Sequence, residues 1–283
     1  MLNVCKGRNW GKYGFLTKPL IYYDYINSLP KKSAKGGDVF VILMDSDTFW
    51  GTDSISKIWN RFDCARKGKP VVVSTEMSCW IGRYCQEEDL KKFYPDISKV
   101  PSYSPFLNSG FVMGLASEVA KMLNHVIVHN ASYFIKYHKL KFDDQLAIGD
   151  YSINVNPKAV ALDYHQELAA SLAIHTVGDP PDTGWPFMCK NSSDLIYPSC
   201  RDYTQFMARR NYFKVDDKTC YAYKNINENT HFYEELRTIS PEPIIWHGNG
   251  AGKRAFSGVA HDTFLCFLKK NNITEVDHQQ TFG

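Results

Sequence analysis

Residues 38–49 read DVFVILMDSDTF, and this stretch decides the fold that the rest of the sequence predicts. Val39 to Met44 form a continuous apolar run, which is typical of a strand buried on both faces in the middle of a parallel sheet. Asp45 and Asp47 follow directly, at the edge where open α/β sheets bind their ligands. An Asp-x-Asp pair there can hold a hard divalent cation against a diphosphate. The alternative is structural, because the same residues also suit a helix cap or an Asx turn.

The composition excludes several classes of function. The 283 residues carry a formal net charge of +3, from 33 basic and 30 acidic side chains that are interleaved along the chain. Without a basic patch or tail, the sequence has no electrostatic footprint for nucleic acid. No apolar segment approaches the roughly 18 residues needed to span a bilayer, so no transmembrane segment is expected.

The cysteines and glycosylation sequons bear on the compartment. Eight cysteines are scattered without a C-x-x-C motif, which argues against a zinc ribbon or a thioredoxin-type site. Three of them fall between 189 and 220, in polar and aromatic sequence that suits disulfide bonds. N-x-S/T sequons at Asn130, Asn191 and Asn272 indicate a luminal or extracellular glycoprotein. The N-terminal residues lack the order of a signal peptide, so the sequence leaves the compartment open.

Strand and helix patterns alternate along the chain, which predicts an α/β domain with a mixed, mostly parallel sheet flanked by helices. Pro19 suits the first turn of one helix. Thr52 or Asp53 is expected to cap another, whose apolar residues recur at helical spacing. Around Asn156 we predict a hairpin-like pair of strands.

Several predicted strands end in polar residues that a sheet can bring to one edge. The strand at 106–115 is interrupted by Asn108, Ser109 and Gly110, which indicates close approach of the backbone to another group. Two carboxylates and an imidazole at this edge suit Mn²⁺. The segment GNGAGK, from Gly248, can bring backbone N–H groups and a lysine to phosphate oxygens. The polar ends are Asp45 with Asp47, Glu76 with Trp80, Asn108 with Ser109, and His247 with Asn249.

The motifs MDSD, STEMSCW, FLNSGFVMG, DDQLA, ALDYH and IIWHGNGAGK, in that order, resemble the N-terminal glycosyltransferase domain of the procollagen lysyl hydroxylases. The resemblance covers roughly 36–115, 140–168 and 243–256. It implies a GT-A fold that uses Mn²⁺ and a UDP-sugar. We therefore expect residues 1–283 to form a single GT-A-like domain, with a loop-rich insertion at about 176–240 where the composition shifts.

The resemblance also implies roles for individual residues. Asp45 and His247 would be metal ligands. The family's D-x-x-D pattern would place the second carboxylate at Thr48, so we predict Asp47 as that ligand. By the same resemblance, Asn249, Gly250 and Lys253 are expected near the diphosphate, Trp80 as an aromatic lid, Asn108 as a sugar or acceptor contact, Asp143, Asp144 and Gln145 at the donor-sugar and acceptor end of the pocket, and Glu76 on the same rim.

The sequence and the resemblance lead to three alternative hypotheses about function. The first is a Mn²⁺-dependent transferase that moves a hexose from a UDP-sugar to a hydroxyl of a protein or glycan, for example hydroxylysine of a collagen-like protein in the secretory pathway lumen. The second is a GT-A-like binding or scaffold module without turnover. It is favoured because the family's domain starts with a βα unit that helps hold the uridine, and this sequence is expected to begin after that unit. The third is an iron oxygenase, since His165 and Glu167 match half of a two-His-one-carboxylate triad. The H-x-E form is rare, and no convincing distal His and Arg follow.

Overall fold

An α/β fold is observed, in which a mixed seven-stranded sheet is flanked by helices. The structure is a computed structural model. No helix among the described residues is long and apolar enough to cross a membrane. The structure describes residues 16–33, 36–50, 54–76, 91–92, 106–137, 143–164, 166–171, 213–216, 221–224, 243–248, 266 and 268–270.

The helices begin with one that contains Pro19 in its first turn, as the sequence predicts. A short π-helical turn follows the helix that starts at Asp144. The helices are α1 Thr17–Ser28, α2 Ile55–Arg66, α3 Ala116–Tyr137 and α4 Asp144–Asp150, and the π turn is Tyr151–Val155.

The strands form one large sheet and a separate two-stranded sheet. The strands of the large sheet are β1 Phe40–Met44, β2 Thr48–Trp50, β3 Val71–Glu76, β4 Phe106–Leu115, β5 Val160–Asp163, β6 Ala169–Ser171 and β9 Ile245–His247, and the two-stranded sheet is β7 Phe213–Asp216 with β8 Tyr221–Lys224.

The order of the large sheet is β1-β4-β3-β6-β9-β2, with β5 alongside the first part of β3. Strand β4 runs antiparallel to both β1 and β3, and β2 runs antiparallel to β9. The pairs β3–β5, β3–β6 and β6–β9 are parallel. The predicted mixed α/β architecture is confirmed, but the described pairings of the large sheet divide evenly between the two directions instead of being mostly parallel.

Strand β1 is buried on one face and half-buried on the other, and it lies at an edge of the described sheet rather than in its middle. Its described strand partner is β4, and it stands at one end of the strand order. Val41 and Leu43 join a core cluster with residues of α3, while Phe40 packs on the opposite side, with its ring centroid 4.8 Å from that of Trp59 in α2. The apolar run of β1 therefore reflects two helical layers, and our placement of this strand in the middle of the sheet is wrong.

The N-cap of helix α2 lies one or two residues after the predicted caps, Thr52 and Asp53. The hydroxyl of Ser54 accepts a hydrogen bond from the backbone N–H of Lys57 at 3.3 Å, which makes Ser54 the N-cap. Ile58 and Phe62 are buried as the helical spacing predicts, whereas Ile55 in the first turn is 81% exposed. The predicted apolar face therefore packs against the sheet through Ile58 and Phe62 but not through Ile55.

The predicted hairpin around Asn156 is wrong, because helix α4 continues directly into the π turn. The hydroxyl of Ser152 donates to the carbonyl oxygen of Ile148 at 2.7 Å, and the backbone N–H of Asn156 donates to the carbonyl of Tyr151 at 2.8 Å. These bonds occupy backbone acceptors in a helical rather than an extended arrangement. Strand β5 starts only at Val160.

The sequon at Asn130 lies inside helix α3 and is 8% exposed. Its side-chain amide nitrogen donates to the carbonyl oxygen of Val126 at 2.6 Å, so this residue is not a glycan acceptor in the folded chain. Asn191 and Asn272 lie outside the described residues. The proposed insertion at 176–240 is described only at strands β7 and β8, and its relation to the rest of the domain stays a prediction.

The turn between β5 and β6 is organised by the buried carboxylate of Asp163, which is 2% exposed. One oxygen accepts the backbone N–H of Glu167 at 2.9 Å, and the other accepts those of Leu168 and Ala169 at 2.8 and 3.0 Å. The carbonyl oxygen of Asp163 also accepts the hydroxyl of Thr75 at 2.9 Å. One side chain thereby fixes the start of β6 beside β3.

We expect Asp163→Ala to lower the free energy of unfolding by about 3 kcal/mol, because it leaves buried backbone N–H groups without acceptors. Urea unfolding followed by circular dichroism measures this loss. Asp63→Ala is the matched control, since Asp63 is exposed and pairs only at the surface of α2 with Arg66. Equal losses for the two variants would contradict the assignment of Asp163 as the organiser of the turn.

Candidate functional site

The end of β1, the middle of β4 and the end of β9 meet at one edge of the sheet. The backbone N–H of Asp45 donates to the carbonyl of Gly110 at 2.9 Å, which ties the residue after β1 to β4. The N–H of Gly248 donates to the carbonyl of Asp47 at 2.8 Å, which ties the next turn to the end of β9. Backbone hydrogen bonds thus place both aspartates beside His247.

Asp45, Asp47 and His247 form a compact group of possible metal ligands. Their ligand atoms lie within 4.8 Å of one another. The Nε2 atom of His247 is 3.3 Å from Oδ1 of Asp47 and 3.7 Å from Oδ2 of Asp45. A divalent cation with metal–ligand distances of about 2.1 Å places neighbouring donors about 3.0 Å apart and opposite donors about 4.2 Å apart. The donor set and its spacing therefore fit such an ion.

Burial fixes the orientation of the His247 ring. The residue is 2% exposed, and its Nδ1 atom has no hydrogen-bond partner among the described residues. A Cβ atom added to Gly110 would lie 2.0 Å from Cε1 and 2.5 Å from Nδ1 of His247. The close approach predicted from the break in the β4 sequence is confirmed, and the approaching group is this imidazole. The ring fits because residue 110 has no side chain.

A second polar group lies at the N-terminus of α4. Asp144 accepts the hydroxyl of Ser109 at 3.1 Å, and the carbonyl of the Gln145 side chain accepts the backbone N–H of Ser109 at 3.2 Å. The amide nitrogen of Gln145 donates to the carboxylate of Glu76 at 2.7 Å. Asp144, Gln145 and Glu76 are all buried. The structure therefore brings together four polar residues from β3, β4 and α4.

Asp143 caps helix α4, with its carboxylate accepting the backbone N–H of Leu146 at 3.2 Å. Burial, and to a smaller extent the neighbouring Asp144, raises the pKa of Asp143, and the hydrogen bond from Leu146 opposes this shift. Asp143 is therefore a helix cap, whereas the side chain of Asp144 points to Ser109 and Lys18.

Lys18 connects the two polar groups. Its Nζ atom lies 2.9 Å from Oδ1 of Asp45 and 2.6 Å from Oδ2 of Asp144, and its side chain is 14% exposed. Burial by itself lowers the pKa of Lys18, but the carboxylates of Asp144 and Asp45 outweigh burial and the net shift is upward. No sequence motif singles out this residue. Lys18 stands 27 positions before Asp45, and no linear pattern pairs them.

Asn108 is buried, and its side-chain carbonyl accepts the backbone N–H of Gly110 at 2.9 Å and the hydroxyl of Ser74 at 3.3 Å. This oxygen therefore shapes the backbone turn of β4 next to the site. Glu167, part of the sequence that resembles an iron triad, forms an ion pair with Arg61 of α2. The predicted site residues Trp80, Asn249, Gly250 and Lys253, together with His165, lie outside the described residues.

Comparison with known proteins gives a family match and similar solved structures. Residues 26–163 match the family model described as the PLOD GT domain. No curated protein matches the chain significantly. Among solved structures, the chain is similar to the apo form of mouse xyloside xylosyltransferase 1, with 15% sequence identity and a TM-score of 0.39. The similarity covers 83% of this chain and 65% of that one.

The family match includes most of the site but not all of it. Asp45, Asp47 and Asp144 fall within residues 26–163, whereas Lys18 and His247 fall outside that range. The structure brings these two to the same edge from opposite ends of the chain.

We expect Gly110→Ala to displace the His247 ring and to lower the free energy of unfolding by about 2 kcal/mol or more through overpacking. The imidazole proton shifts of His247 in NMR spectra, assigned with His247→Gln, measure the displacement, and urea unfolding measures stability. Gly114→Ala is the matched control, because a Cβ atom there would meet Pro70 and Val71 instead, at 2.7 and 2.9 Å. A His247 signal that moves no more in Gly110→Ala than in Gly114→Ala would contradict the steric account.

Proposed function

Because residues 26–163 of this chain match the family model described as the PLOD GT domain, we propose that the protein is a metal-dependent glycosyltransferase that moves a hexose from a UDP-sugar to a hydroxyl acceptor. The single observation that supports this function best is the group of Asp45, Asp47 and His247 at one sheet edge, coupled through Lys18 to Asp144. This arrangement offers a place for a donor diphosphate at the three possible metal ligands, next to the carboxylate of Asp144.

Asp45, Asp47 and His247 are the residues that would hold the metal ion. Two carboxylates with one imidazole favour Mn²⁺ over Mg²⁺, since imidazole is a softer ligand than oxygen. A divalent cation bound there would supply positive charge for the leaving diphosphate. The protein's contribution is to hold the three donors in place, with Gly110 against the ring and backbone hydrogen bonds beside both aspartates.

Asp144 is the residue we propose to act at the reacting end of the donor sugar. Lys18 and Ser109 each bind one of its two oxygens, so the carboxylate is held in a single orientation. Held in this way, it can orient the acceptor hydroxyl or stabilise positive charge that develops at the anomeric carbon. Gln145 and Glu76 support it from the next layer, because Gln145 bonds to both Ser109 and Glu76.

The remaining contacts are proposed from the family resemblance. Asn249, Gly250 and Lys253 would contact the diphosphate, Trp80 would cover the sugar, and Asn108 and Asp143 would border the acceptor end. Hydroxylysine of a collagen-like protein is the acceptor that the resemblance favours, and the secretory pathway lumen is the matching compartment.

A binding or scaffold module without turnover is the second candidate function. One observation favours it, namely the ammonium group of Lys18, which already offsets the charge of Asp45 and Asp144. The folded site therefore has a positive charge of its own. Release of UDP from a UDP-sugar separates the two candidates, because only a transferase turns the donor over.

We expect the purified protein to release UDP from UDP-glucose or UDP-galactose in the presence of Mn²⁺, and chelation by EDTA to abolish this activity. Asp47→Asn is expected to weaken Mn²⁺ binding at least about tenfold and to lower turnover about 100-fold, because it removes a charged ligand. Calorimetric titration with Mn²⁺ and a coupled UDP assay measure the two effects.

Asp38→Asn is the matched control for Asp47→Asn, since Asp38 is exposed and forms an ion pair with Lys32 at 2.6 Å outside the site. Its Mn²⁺ affinity and turnover should equal those of the unchanged protein. Mn²⁺-independent turnover would overturn the metal requirement. Mn²⁺ and UDP binding without UDP release would favour the binding module instead.

Asp144→Asn is expected to lower turnover about 100-fold at saturating Mn²⁺ and donor, because an amide cannot carry the negative charge of the carboxylate. The coupled UDP assay gives the turnover, and thermal unfolding shows whether the variant remains folded. Turnover within about threefold of the unchanged protein would remove Asp144 from the proposed machinery.

A further inference from the structure

Lys18 is held in the site by two carboxylates that belong to different functional groups. Asp45 is a proposed metal ligand, and Asp144 is proposed to act at the donor sugar. The Nζ atom of Lys18 lies within hydrogen-bond distance of both, and the carbonyl of Ser109 is a third, longer contact at 3.5 Å. The contacts to Asp45 and Ser109 have hydrogen-bond geometry, and the contact to Asp144 is an ion pair at 2.6 Å.

The two oxygens of Asp45 are divided between this lysine and the histidine. Oδ1 accepts Lys18 at 2.9 Å, while Oδ2 faces Nε2 of His247 at 3.7 Å. A cation held by Asp45, Asp47 and His247 would therefore share one carboxylate with a fixed ammonium group. Two positive charges this close repel each other, and their mutual repulsion is only partly screened where the groups are buried.

We propose that Lys18 is a positioning residue that keeps the affinity of the site for its divalent cation low and, in return, holds Asp144 in place. The inference deepens the proposed function and rests on it, because it concerns the same metal ligands. Lys18 acts through Asp45 on metal binding and through Asp144 on turnover. Its removal therefore has opposite effects on the two properties.

Lys18→Met tests this inference, because methionine keeps much of the length of the side chain and removes its charge. We expect Mn²⁺ to bind about tenfold tighter or more than in the unchanged protein, since the repelling charge is gone. Turnover at saturating Mn²⁺ should fall at least about tenfold, because Asp144 loses its partner. Calorimetric titration with Mn²⁺ alone measures the first effect without any substrate. A merely structural role would weaken Mn²⁺ binding.

Two variants serve as controls. Lys18→Arg retains the charge and should keep the Mn²⁺ affinity within about threefold of the unchanged protein. Lys32→Met removes a lysine from an exposed pair with Asp38, outside the site, and should change neither property. Tighter Mn²⁺ binding in Lys32→Met as well would show that net charge alone is responsible, and would overturn the inference.

A double variant keeps the test decisive if Lys18→Met unfolds. Lys18→Met combined with Asp144→Asn removes opposite charges together, which avoids leaving two carboxylates without a counter-charge. In Asp144→Asn alone, Lys18 is left to Asp45, and Mn²⁺ binding should be weaker than in the unchanged protein. Adding Lys18→Met to this background should tighten Mn²⁺ binding by more than tenfold (about 1.4 kcal/mol). An unchanged or weaker affinity overturns the inference.

The outcomes also separate this inference from the proposed function. If the unchanged protein binds Mn²⁺ and releases UDP, but Lys18→Met binds Mn²⁺ equally well, only the inference fails. If the unchanged protein binds no Mn²⁺ and Lys18→Met does, the inference holds and the proposed metal dependence of the natural chain fails. If neither protein binds Mn²⁺, both fail.

Discussion

The ion pairs of Lys18 with Asp45 and Asp144 are the interaction on which the site depends. Three aspartates and a buried histidine lie close together at this site, and partly buried carboxylates are costly without a positive partner. Lys18 supplies that charge from helix α1, and by doing so it connects α1 to the end of β1 and to the start of α4. Hydrogen bonding from Tyr22 to the carbonyl of Met44, at 2.7 Å, adds a second tie between α1 and β1. Helix α1 must therefore pack in this position for the charges at the site to be balanced.

Strand β4 meets a different requirement, which is steric. It is paired on both sides, and in its middle Gly110 leaves room for the ring of His247 while Ser109 and Asn108 turn their polar groups toward neighbours. The sequence Asn-Ser-Gly weakens the strand intrinsically. Ten residues of β4 nonetheless remain extended, because β1 and β3 supply the ladder. Stability that the local sequence lacks is provided by the two flanking strands.

Much of this architecture could be predicted from local sequence, and the failures have identifiable causes. The strand before Asp45 follows from its apolar run, and the first helix follows from the preference of Pro19 for a first helical turn. The place of β1 in the sheet could not be predicted from its apolar residues. Helices can cover an edge strand and a central strand alike, so both have the same apolar pattern. The hairpin error at Asn156 has a similar origin, since an Asn-Pro pair after a short apolar segment favours a turn in isolation.

The site was predictable where its residues lie at strand ends and unpredictable where a long-range contact selects them. Asp45, Asp47 and His247 each lie at or next to the end of a strand, and these strand ends meet at one edge of the sheet. The motifs that contain them could therefore be assigned to one site from the sequence. Lys18 lies in a helix that no motif marks. Its role depends on how α1 packs against α3 and reaches the end of β1, and that packing is a property of the whole fold.

Thr48 stands where the D-x-x-D pattern that the sequence resembles would place the second carboxylate. This residue starts β2 and is the direct cross-strand partner of His247, while its hydroxyl donates to the carbonyl of Asp45 at 2.6 Å. Thr48 thereby closes the turn that carries both aspartates. Asp47 lies within that turn, before the strand begins, and its carboxylate reaches to 3.3 Å from the imidazole. Because a turn residue is not bound by the alternation of a strand, a carboxylate one position earlier can face the same histidine.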